Sequence, residues 1–129
     1  MAEIVTEKVS VTTTGSAGSA TGSSTSEVME GELLDVYLDF HASAPATTDT
    51  TVAFADRGGN ILVVTDSKTD ALFAPRVKPV DNANAAITNA HDRFGLNGAL
   101  TVSLAGADAL TGAVLAYRRY GRVLCEGLL

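Results

Sequence analysis

The sequence predicts an all-β fold: an antiparallel β-sandwich, jelly-roll-like, in a single domain spanning 1–129. Three observations predict it. Leu33 to His41 alternates apolar and polar residues, the mark of a strand with one buried and one wet face. Two short apolar runs, TVAFAD and ILVVTD, flank the turn RGGN. No segment carries a helical apolar stripe longer than a turn or two, while turn signals recur at intervals typical of sandwiches. A small closed barrel is the alternative.

The elements follow in chain order. Val5, Glu7, Val9 and Val11 share one parity in a β-branched stretch, which predicts a first strand. Glu7 falls on the apolar side, so pairing is expected to be weakest near that end. TTTGSAGSATGSSTS follows, and its Gly, Ser and Thr content predicts a loop over 12–26. The strand before that loop cannot bury its own apolar face. It must therefore join its own subunit's sheet, the favoured reading, or a neighbour's.

In the clearest strand, Leu34, Val36, Leu38 and Phe40 are expected inside; Asp35, Tyr37, Asp39 and His41 are expected outside. ASAPATTD ends this run. The RGGN hairpin comes next, and Ile61 to Val64 is continuously apolar, as for a strand covered on both faces. Pro75 and Pro79 in ALFAPRVKPV exclude a central strand and predict an edge or crossing segment. DNANAAITNAHD reads as a loop with at most one helical turn. Leu100 to Leu104 and Val114 to Tyr120 then predict a second hairpin, closing around Gly106 to Gly112. Residues 121–129 form a C-terminal extension whose Val123, Leu124, Leu128 and Leu129 either finish the core or dock on a partner.

Composition narrows the function. Apolar residues make up 46% of the chain but aromatics only 5%, so small branched side chains must build the interior. The formal net charge of −6 argues against nucleic acid, whose phosphates call for clustered Lys and Arg. Arg118, Arg119 and Arg122 form the one basic cluster, suited to salt bridges with an acidic neighbour or to a solvated strand end. The N-terminus lacks a basic region followed by an apolar core, and no apolar run reaches membrane-spanning length. A soluble, non-secreted protein without membrane partners is expected. Cys125 is the single cysteine and reads as an apolar filler.

No residue cluster identifies a reaction, and no cofactor is expected. Asp35, Tyr37, Asp39 and His41 share a strand face, but neighbours on such a face stand about 6–7 Å apart, too far for one strand to make a compact metal site. Asp66, Asp70 and Asp81 depart from calcium-loop spacing. No nucleophile elbow accompanies the Ser, His and Asp residues, and His91 reads as a loop residue.

Four stretches carry a resemblance: VSVTTTGSAGSATGSSTS, LLDVYLDFHASAPATTDTTVAF, GGNILVVTDSKTDALFAPR and LTVSLAGADALTGAVLAY. In order and pattern they resemble small β-sandwich virion structural proteins of tailed bacteriophages, of the capsid decoration or cement type. RRYGRVLCEGLL has no place in that pattern. The resemblance implies a homo-oligomer, typically a trimer, bound to the major capsid protein on the outside of an assembled head and made in the host cytoplasm. Neck or tail components and carbohydrate-binding sandwiches are the alternatives. The partner-contact candidates are Val5, Val9, Val11, Arg118, Arg119, Arg122, Leu128 and Leu129.

Overall fold

A computed structural model describes the backbone of residues 2–122 and the side chains of residues 4–119. Nine strands make up the described fold: β1 (Ala2–Thr12), β2 (Ala20–Thr25), β3 (Met29–Phe40), β4 (Asp49–Phe54), β5 (Asn60–Val64), β6 (Ala71–Phe73), β7 (Gly95–Gly98), β8 (Leu100–Ala107) and β9 (Gly112–Arg122). They form two antiparallel sheets, one in the order β1-β9-β3-β6 and the other β2-β8-β4-β5. β7 pairs with the first part of β3, ahead of the segment that β6 takes.

The order has a simple origin. With β7 set aside, β1 pairs β9, β2 pairs β8, β3 pairs β6 and β4 pairs β5. This is one long antiparallel hairpin, rolled so that successive pairs fall into alternate sheets. Such a rolled hairpin is the jelly roll, so the expected architecture is the one observed. Its tip is the RGGN turn, where Gly58 and Gly59 adopt positive φ and the Phe54 N–H donates to Gly59 O at 3.1 Å.

The core lies between the sheets. Val9, Val11, Leu33, Val36, Leu38, Leu115 and Tyr117 enter it from the first; Val52, Ile61, Leu100, Val102 and Leu104 enter from the second. Each set follows the period-two rule along its strand except between Leu33 and Val36.

Several expectations fail, each for a physical reason. Leu34 is not the core residue; Leu33 is, at 0% exposure. A β-bulge between Leu33 and Asp35, opposite Arg119 and Arg118, inserts one residue and resets the parity before Val36. β5 is not covered on both faces. It is the edge of its sheet, and Val63 faces solvent at 55% exposure.

The stretch 12–26 is not a loop throughout, because Ala20–Thr25 is β2, paired with β8 from Ala20↔Ala107 to Thr25↔Thr101. Its small residues suit a tight corner. A Cβ on Gly22 would stand 2.5 Å from Thr12 O, where β1 passes close by. β1 pairs with β9 of its own chain along its whole length, so Glu7 does not fray it. Arg119 meets the Glu7 carboxylate at 3.3 Å.

The second predicted hairpin does not form. β8 and β9 belong to different sheets, and residues 108–111 cross between them. Leu110 turns the crossing with a φ of 61°. Fully buried Thr13 anchors it: its Oγ1 lies 2.6 Å from both Asp108 O and Thr111 O, and its N–H donates to Thr111 O at 2.8 Å. The crossing is thus bonded to the end of β1, which a sequence pattern cannot show. Segment 71–93 fits its expectation. β6 is a three-residue edge strand, and 74–93 runs on with isolated bridges at Val77↔Asp92 and Val80↔Ala86 and no helix.

Candidate functional surface

Of the residues that sequence reasoning selected, Asp35, Tyr37, Asp39 and Arg118 lie on the outer face of the β1-β9-β3-β6 sheet. Register fixes its rows. Lys8, Ala116, Tyr37 and Leu72 form one row across all four strands. Ser10, Val114 and Asp39 form the next, and Thr6, Arg118 and Asp35 lie on the other side. Tyr37 (41% exposed), Leu72 (61%) and Val114 (40%) therefore make an apolar band on this face, with Ala116 half-buried between them. Lys8, Asp39 and the Arg118–Asp35 pair rim it. Sequence parity placed Tyr37 here. Leu72 was missed because nothing local reveals which strand a three-residue edge strand will join.

Asp35 is expected to be solvated but is buried, at 7% exposure. Arg118 Nε donates to its two oxygens at 2.9 and 3.0 Å, and Nη2 donates at 2.5 Å. This hydrogen bonding, with the carboxylate charge, raises the Arg118 pKa above its ordinary value. Arg118 thus serves a neighbouring strand, while half its side chain remains exposed. Arg118→Gln is expected to lower the melting temperature by leaving a buried carboxylate without its cation. The double variant with Asp35→Asn should recover part of that loss in a thermal scan.

The remaining candidates divide clearly. Val9 and Val11 are 8% and 4% exposed and belong to the core, so they are spent within the chain's own sandwich rather than offered to a partner. Val5 is half-buried on the same face of β1. Arg119 turns toward the interior: it meets Glu7, its Nη1 donates to Glu30 O at 2.8 Å, and its buried Nε has no partner among the described residues. The backbone of Arg122 pairs with Ala2 at the end of β9. Leu128, Leu129 and Cys125 lie outside the described residues, with most of the extension 121–129.

The carboxylates do not converge. Asp35 is held by Arg118, and His41 Nδ1 accepts from Ser43 N at 3.0 Å. Asp70 Oδ1 accepts from Phe40 N at 2.8 Å, and Asp81 Oδ1 accepts from Ala83 N and Ala85 N. Asp70 thus fixes the end of β3 and Asp81 closes a turn, while Asp35 ties β3 to β9. Among the described residues no three His, Cys, Asp or Glu side chains group to hold a metal ion. His91 is exposed, beside a polar depression of about 640 Å³ lined by Glu32, Arg76, Asp92 and Arg93. A second depression, of about 320 Å³, opens where Thr12, Gly112 and His41 end the sheet near Leu110.

The fold and face define an antiparallel jelly-roll sandwich with a partly apolar outer surface. No family model matches the chain, and no curated protein matches it. Among solved structures it is similar to the VP2 subviral particle of infectious bursal disease virus, at 12% identity and a TM-score of 0.29. The likeness covers 97% of this chain and 43% of that one, so the chain spans less than half that protein's length. At that TM-score the likeness bears on no functional argument.

Proposed function

We propose that the protein is a structural component of a virus particle and, more narrowly, a bacteriophage decoration or cement protein that binds the assembled shell through the major capsid protein. The observation that carries this reading is the apolar band of Tyr37, Leu72 and Val114 on the outer face of a jelly-roll sheet. Jelly rolls are a common capsid architecture. A contiguous apolar patch with a polar rim is the usual form of a protein-binding surface. Such an exposed sheet face suits another protein surface better than an enclosed small molecule. On this reading the chain acts by contact rather than by catalysis, and it resides on the capsid surface.

Co-sedimentation with expanded shells that lack the protein tests this. The wild type should bind assembled shells and not free capsid subunits. Tyr37→Asp combined with Leu72→Asp should weaken binding by about tenfold or more, as expected when central apolar anchors are lost. Failure of the wild type to sediment with shells would overturn the proposal, as would undiminished binding by a folded double variant.

A further inference from the structure

The open edge of the first sheet leads to a second, independent surface. In an antiparallel ladder, residues that exchange hydrogen bonds with the partner strand alternate with residues whose N–H and C=O point away. Thr13 N donates to Thr111 O, in register with the β1–β9 pairing, so the odd-numbered residues of β1 face β9. The even-numbered ones face outward. Ser10 confirms this, since its carbonyl accepts from Ser24 Oγ at 2.7 Å, and Thr14 exchanges hydrogen bonds with Thr21. β2 therefore covers the far end of this edge. Ile4, Thr6 and Lys8 remain uncovered, with no backbone partner on that side among the described residues. This stretch has no proline and no bulge to blunt the edge; its charges are Lys8 and the inward Glu7, whose carboxylate Arg119 meets.

We propose that this edge pairs with the same edge of a second copy of the chain, antiparallel about a two-fold axis through Thr6. The register is self-complementary. Thr6 faces Thr6, and Ile4 faces Lys8 twice, so Ile4, Thr6 and Lys8 of each strand are all used. On the core side of the sheet Val5 comes opposite Glu7, whose charge Arg119 already meets. A slip of two residues one way sets Glu7 opposite Glu7, and the other way sets it opposite Glu3. Like charges directly opposite disfavour both. The pairing joins two sheets into one continuous sheet and covers half-buried Val5. The resulting assembly is a pair, in place of the trimer that the resemblance implies, and it does not depend on shell binding.

Sedimentation of the full chain should give twice the chain mass, with dissociation on dilution. Thr6→Pro removes only an outward N–H and should raise the dimer dissociation constant by about tenfold or more while β1 stays on β9. Thr6→Cys in a Cys125→Ser background should give a covalent dimer with a short bismaleimide, because facing Cα atoms stand about 5.5 Å apart. This keeps the test decisive should the proline variant misfold. A monomeric wild type, a trimer without the Thr6 cross-link, or a folded Thr6→Pro variant that dimerises as before would each overturn the proposal.

Discussion

Gly112→Ala is expected to destabilise the protein by about 3 kcal/mol or more, at the upper end for an overpacked site. Gly112 opens β9 opposite Thr12. A Cβ there would stand only 2.0 Å from the carbonyl oxygen of Val11 and 3.0 Å from its carbon. Backbone, unlike a long side chain, cannot swing aside. The strands would have to separate where β1 ends, which is also where Thr13 anchors the crossing to β9. Gly95→Ala is the control, since nothing lies within 4 Å of its added Cβ. That change should stay within about 0.5 kcal/mol of wild type. Urea unfolding of the two variants decides the matter: equal midpoints would mean that β1 and β9 are not so closely apposed.

The same corner marks how far the sequence can be read. Features encoded locally were legible: the alternating β1 face of Val9 and Val11, the alternating β3 face of Val36, Leu38 and Phe40, and the β4–β5 hairpin from its Gly58-Gly59 turn. They are local, and a period of two needs no knowledge of the partner strand. Whatever depends on a distant partner was misread. The bulge at Leu34 follows from pairing with β9, more than eighty residues away. The β8–β9 turn has the composition of a hairpin, yet its strands pair with β2 and β4 on one side and with β1 and β3 on the other. β2 lacks large apolar residues, with Gly22 held against Thr12 and Thr21, Ser23 and Thr25 facing solvent, so composition made it look like a loop. The apolar band was half legible for the same reason, with Tyr37 fixed by its own strand and Leu72 fixed by a neighbour's register.

Tyr117 gives the second large effect, and its two substitutions should move stability very differently. Among the described residues it is the largest fully buried side chain, at 0% exposure, and its hydroxyl has no hydrogen-bond partner there. Tyr117→Ala should cost about 3–5 kcal/mol, through lost burial and the cavity left between the sheets. Tyr117→Phe keeps the ring and removes only the unpaired hydroxyl, so it should be neutral or stabilising by about 1–2 kcal/mol. Burial also pushes the Tyr117 pKa well above its ordinary value of 10.0. The unfolded chain therefore releases this proton first as pH rises, and the folded state binds more protons above about pH 10. Stability should fall across that alkaline range, by up to about 1.4 kcal/mol per pH unit from this residue alone. The difference between wild type and Tyr117→Phe isolates its share, because the other lysines and tyrosines are common to both. Urea midpoints at pH 8 and at pH 10.5 should therefore diverge, with the phenylalanine variant losing less. Parallel losses would place the Tyr117 hydroxyl in contact with water or with a partner group.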